Sequence, residues 1–190
     1  MTPPRHLPRR LALIGGLALL AACETRRQIT EDGSFELLVL LGDKPEYRRF
    51  LNAITLSGLG ERFGRRQGAV TLFVPVNQAL DTLPADFRAL LDNPPASPSA
   101  EQRARAAALV SANAAFGLLR LRDIQARRGE VVTWDRGRLQ INQTGPRTAT
   151  VVREGAPPTP GRPTIAITRG DILAADGVMH LTNSPILAGA

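Results

Sequence analysis

The sequence predicts an α+β domain, and three features carry that expectation. Apolar residues recur with helical spacing through the first half of the chain and switch to alternation after Arg128, while glycine and proline punctuate both halves at short intervals. Helices come first and strands later. With 190 residues, 43% of them apolar and 22% charged, the chain is long enough for a single core and composed like a folded one.

Phe35, Leu37, Leu38 and Leu41 group as the apolar side of a first helix. Tyr47, Phe50, Leu51 and Ile54 repeat at i, i+3, i+4 and i+7, with Pro45 suited to the opening turn and Gly58 and Gly60 ending the helix. Residues 69–74 are β-branched and apolar enough for a buried strand, which Pro75 stops because it has no N–H to donate. Asn77 is placed to cap a short helix holding Ala79 and Leu80, and Pro84 and Asp86 to open another through Leu91. Residues 93–100 contain three prolines and read as a loop, and 101–115 as an alanine-rich helix turning Ala107, Leu109 and Val110 inward. Strands are expected at 130–134, 138–142, 148–153, 164–168 and 178–183, with a hairpin-like turn at Asp135-Arg136-Gly137 and a proline-rich loop at 156–163. No internal repeat is visible.

The first 23 residues carry an address. Residues 1–10 are basic and free of acids, 11–20 form an apolar run about half the ~20 residues a spanning helix needs, and Ala21 and Ala22 precede Cys23. Leu20-Ala21-Ala22-Cys23 resembles the bacterial lipobox, and the resemblance implies cleavage before Cys23, acylation of its thiol and amine, and residues 23–34 as a tether. A plain secretory signal is the alternative. Cys23 is the only cysteine, so no intramolecular disulfide is expected. Glu24 is not the aspartate associated with inner-membrane retention, which favours the outer membrane.

All but one of the 24 basic residues are arginine, against 17 acids, and a chain starting at Cys23 keeps 21 bases for a net charge of +4. Arg62, Arg65, Arg66, Arg120, Arg122, Arg127 and Arg128 come without an interleaved aromatic stripe, and aromatics are only 4% of the chain, so nucleic acid is not an expected partner. Arg120, Arg122, Arg127 and Arg128 are the candidate contacts for anionic polymer. Loss of His6 with the signal leaves His180 as the only imidazole; with no G-x-S-x-G elbow and no set of histidine or cysteine ligands, neither a catalytic residue nor a metal site or cofactor is assigned. His180 sits in an alternating strand with Val178 and Thr182, and is expected to stitch the core through both ring nitrogens.

Two motifs resemble a known family. Thr71-Leu72-Phe73-Val74-Pro75-Val76-Asn77-Gln78-Ala79-Leu80-Asp81-Thr82-Leu83-Pro84 is similar to the first signature of the fasciclin (FAS1) domain, T-x-F-A-P-T-N-x-A-F-x-x-L-P. Asp171-Ile172-Leu173-Ala174-Ala175-Asp176-Gly177-Val178-Met179-His180-Leu181 resembles the second, D-I-x-x-x-N-G-V-I-H-V, and Ser57-Gly58-Leu59 falls where the family has A-G-L. The resemblance spans 35–187 and implies a fasciclin-like domain over 35–188, a twisted β-wedge packed by several short helices. It marks Thr71, Phe73, Pro75, Asn77, Leu83, Pro84, Asp171, Ile172, Gly177, Val178 and His180 as structural. Where many members carry a Tyr-His pair linked to integrin adhesion, this chain has Ala112-Asn113, which gives that mode no support. Arg169-Gly170-Asp171 spells the integrin tripeptide and is read as a turn in which Gly170 bends the chain and Asp171 caps. Asp176-Gly177 is read as a tight turn with φ > 0 at glycine.

The expected function is a non-enzymatic envelope lipoprotein that adheres to protein or polysaccharide partners. A glycan-active enzyme, an enzyme accessory and a structural spacer of envelope layers are the alternatives.

Overall fold

The computed structural model describes residues 33–64, 66–155 and 164–187; the signal segment, Cys23, most of the tether and the proline-rich loop at 156–163 lie outside the described residues. Helices α1 (Leu37–Asp43) and α2 (Arg48–Ser57) lead into strand β1 (Val70–Pro75), followed by α3 (Ala85–Asp92), α4 (Ala100–Ala112), β2 (Ala114–Phe116) and α5 (Leu121–Ala126). Strands β3 (Glu130–Val132), β4 (Arg138–Gly145), β5 (Thr148–Arg153), β6 (Ile165–Ala174) and β7 (Gly177–Thr182) complete the chain. Short 3₁₀ turns occupy Pro45–Tyr47, Leu59–Arg62 and Asn77–Thr82.

The strands form one sheet in the order β2-β1-β7-β6-β5-β4-β3. β1 and β7 run parallel from Val70↔Gly177 to Pro75↔Thr182, and every other pairing is antiparallel. The sheet curls until its two edges touch at one bridge, Ala115↔Thr133, where Trp134 N–H donates to Ala114 O at 2.8 Å. Closure at a point satisfies little edge backbone, so a seam remains between β2 and β3.

Alternation splits the core. Leu72, Val74, Met179 and Leu181 join Leu37, Leu41, Phe50, Ile54, Leu91 and Val110 under the helices. Phe73 points the other way, into the curl with Leu121, Ile124, Leu139, Ile141 and Val151. Every residue of β1 and of β7 is buried, so both faces of β7 meet core, whereas alternation alone required only one. Each fully buried large aliphatic side chain contributes about 1.5–3 kcal/mol, so these two layers supply most of the folding drive.

Four local expectations need correction. The helix expected at 101–115 stops at Ala112, and 114–116 is a strand; Ala106, not Ala107, takes the buried helical position. Asn113 forces the change: its Nδ2 donates to Leu109 O and Ile186 O, and its Oδ1 accepts from Ile186 N–H, tying the helix end to the C-terminal segment. Asn77 does not cap its own turn. Its Oδ1 accepts from Arg49 N–H at 3.1 Å, capping α2 from outside. Gly177 has no positive φ; a Cβ there would collide with Val70 O, so glycine is required by the close approach of β1 to β7. Arg169-Gly170-Asp171 is not a turn between elements but an irregularity inside β6, with the positive φ of 57° on Asp171.

Candidate functional site

Two other signature residues, Phe73 and Asp171, meet at His180, which is fully buried. Because β6 bulges, Asp171 N–H is turned inward and donates to His180 Nδ1 at 3.2 Å, while His180 Nε2 donates to Leu119 O at 2.9 Å. An Nδ1 that accepts and an Nε2 that donates define the neutral imidazole. Burial pushes its pKa below the ordinary value, outweighing the pull of Leu119 O and of Asp171, whose Oδ1 lies 3.9 Å from Nδ1. The ring stacks on Phe73 with centroids 5.5 Å apart. Asp171 Oδ1 also accepts from Leu121 N–H at 2.9 Å, so the aspartate of the integrin-like tripeptide is engaged by the first turn of α5.

Most other signature positions are internal, while Asn77 is half-buried and Pro84 exposed. Thr71 Oγ1 donates to Gly117 O and accepts from Leu119 N–H, fixing the loop after β2. Asp176 is buried; its Oδ1 accepts from Leu37 N–H at 2.7 Å and its Oδ2 from Gly64 N–H at 3.1 Å, so one carboxylate caps α1 and holds a distant loop. Ile172 and Val178 are fully buried, Leu83 is buried, Pro75 ends β1, and Pro84 O accepts from Phe87 and Arg88 N–H at the start of α3. These residues build the scaffold.

The four candidate arginines separate. Half-buried Arg120 and exposed Arg122 flank the start of α5 and line a hollow of about 250 Å³ with Asp171 and Leu173, so a carboxylate already faces them. Arg122 is also 3.6 Å from Asp123. Arg127 and Arg128 are exposed at the far end of α5, and of the four only Arg127 reaches the larger groove.

That groove lies along the seam, with a volume of about 660 Å³. Phe116, Leu119, Val131, Val132 and Trp134 supply its apolar surface, and Arg127, Arg136 and Glu130 its charges. Phe116 at 68% and Val132 at 58% are the most exposed large apolar side chains among the described residues. Trp134 is held between rings, 5.6 Å from Phe116 and 5.4 Å from Phe63, and the Arg62 guanidinium lies 5.7 Å from its centroid. Beneath it, Arg153 Nη2 pairs with Asp135 Oδ2 at 2.8 Å; although burial opposes it, hydrogen bonds from Thr133 and Arg153 hold the Asp135 carboxyl below the usual carboxylate range.

The sequence reading missed this assembly because Phe63, Phe116 and Trp134 are far apart in the chain. Its one available signal was the single tryptophan at the end of an expected strand, beside an arginine-bearing turn. Chemically, the groove offers stacking, apolar contact and guanidinium hydrogen bonds, with Glu130 as its only carboxylate. Among the described residues, no group of three or more histidine, cysteine, aspartate or glutamate side chains is placed to hold a metal ion, and no helix is long and apolar enough to cross a membrane.

Comparison with known proteins follows the same lines. The family model of the fasciclin domain matches residues 45–188. A search of curated protein sequences finds no match. Among solved structures, the chain is similar to a FAS1 domain pair from the insect cell adhesion molecule Fasciclin I, with a TM-score of 0.63 and 14% identity. The alignment covers 82% of this chain and 52% of that one, so the chain spans about half the length of the domain pair. At that identity the likeness is one of fold, and the curled seven-stranded wedge packed by short helices is the fold it shares. The chain belongs to the fasciclin family, and residues 45–188 match its domain.

Proposed function

We propose that the protein is a non-enzymatic binding module of the bacterial cell envelope, held by lipid on Cys23 at the outer membrane and adhering to protein or polysaccharide partners. The observation that carries this reading is the chemistry of the seam groove, where aromatic rings and arginines surround one carboxylate and no acid is paired with a base. His180, the only imidazole left after signal cleavage, is consumed by the core. With neither place equipped for acid–base chemistry, adhesion through the domain's surface is favoured over turnover.

Crosslinking of intact envelopes followed by capture of the full chain tests the proposal. A discrete protein or glycan retained by the wild-type chain is the expected result. Turnover of an envelope glycan that disappears in Glu130→Gln would overturn the non-enzymatic reading.

A further inference from the structure

We propose that the seam groove is a membrane-docking face that rests on an anionic lipid surface, with Trp134 and Phe116 at the level of the headgroups and Arg62, Arg127 and Arg136 on lipid phosphates. The inference rests on the anchor at Cys23 and assigns the anchored domain an orientation.

Gly33 lies against Leu173 and Ala174, and Phe35 O accepts from Ala175 N–H at 2.7 Å. The next residue, Asp176, holds Leu37 and Gly64 through its carboxylate. Gly64 follows Phe63, which packs on Trp134 at the groove. A second hollow of about 430 Å³, lined by Glu36, Phe63, Gly64, Arg66 and Gln67, occupies the interval. The chain therefore enters the domain at the end where the groove lies.

Ten residues from Cys23 to Gly33 span at most about 35 Å whatever their conformation. A domain of this size has a radius of gyration of about 15 Å, so the path around it to the far pole is roughly 60 Å. A chain acylated at Cys23 therefore cannot bring its far pole to the bilayer, and the entry end is the nearer face.

Arg62, Arg127 and Arg136 are exposed around the groove, with Glu130 the only acid on its wall. An exposed Phe116 beside the half-buried Trp134, ringed by arginine, suits the boundary between headgroups and acyl chains, where tryptophan concentrates and basic side chains meet anionic lipid. Partners are left the opposite end. Ser111 O, near the end of α4, accepts from Asp135 N–H beside the groove, and α4 runs from there to Ser99, about 18 Å along its axis.

Trp134 is the only tryptophan, so its fluorescence reports this face alone. The full chain is reconstituted in phosphatidylcholine vesicles with or without phosphatidylglycerol, carrying brominated acyl chains or not. Bromine should quench Trp134 in the anionic vesicles and much less in the neutral ones. Each arginine near the surface contributes about fivefold to docking, so Arg127→Gln/Arg136→Gln should shift the docked equilibrium by about 25-fold, and high salt should act in the same direction. Phe116→Ser, at a largely exposed position, should weaken quenching without unfolding the domain. Equal emission with and without bromine overturns the inference. So does emission that follows protein concentration at constant lipid, which would make a second copy the occupant. Palmitate labelling in cells of wild type and Cys23→Ser separates the two claims: a labelled chain without quenching refutes docking alone, and quenching of an unlabelled chain by anionic vesicles refutes the anchor alone.

Discussion

Replacing His180 with phenylalanine keeps a ring of similar size against Phe73 and removes both ring nitrogens. Asp171 N–H and Leu119 O then lose their partners inside a core where no water replaces them. Each orphaned backbone group costs about 1–3 kcal/mol, so His180→Phe should destabilise the fold by about 2–6 kcal/mol. For a domain of this length, that lowers the melting temperature by roughly 4–24 °C. The substitution also changes how stability depends on pH. In the folded chain the imidazole is neutral with a lowered pKa, while the unfolded chain takes up its proton near the ordinary value of 6.5. As pH falls below about 6.5, only the unfolded state gains that proton, and wild-type stability should fall by up to about 1.4 kcal/mol per pH unit until the folded pKa is passed. His180→Phe should lack this limb. Thermal melts by circular dichroism from neutral pH down to about pH 5 measure both effects. A variant melting with the wild type, or a wild type that gains stability on acidification through this window, would refute the neutral-stitch assignment.

Asp176→Ala should cost about 3–5 kcal/mol, because it uncaps α1 and releases the Gly64 loop; urea titration reads the loss, and faster amide exchange at Leu37 and Gly64 identifies its origin. Gly177→Ala should prevent the β1–β7 approach at Val70, so the variant should be recovered largely insoluble or melt far below wild type. Phe116→Ser should leave the melting temperature within about 2 °C of wild type, because the ring is mostly exposed, and its effect should be confined to binding.

The fold was legible in the sequence to the extent that local periodicity and the two signatures reach. The change from helical to alternating spacing after Arg128 matches β3 to β7, and the fasciclin resemblance anticipated the wedge. What stayed hidden depends on long-range contact. Asn113 ends α4 by bonding Ile186, seventy-three residues away, so β2 could not be separated from an alanine-rich helix by propensity alone. Asn77 caps a helix twenty-eight residues earlier, and alternation could not show that β6 holds Asp171 in a left-handed conformation to aim its N–H at His180. The groove was least legible, since three aromatic residues from separate segments meet only when the sheet curls. Of the four arginines chosen as candidate contacts only Arg127, just past α5, lies in the groove; Arg62, clustered in sequence with Arg65 and Arg66, meets Trp134, and Arg136 arrives from the turn after β3. Phe63, an aromatic residue next to Arg62, proved to be the link between the domain's entry end and Trp134.

The adhesive role and the orientation are both proposed for a chain lipidated at Cys23, and an intact mass of the mature chain extracted from envelopes tests that anchor most directly. A chain that starts at Cys23 and carries diacylglyceryl and N-acyl groups is the predicted result. A mature chain beginning at any other residue, or one starting at Cys23 with free thiol and amine, would contradict it.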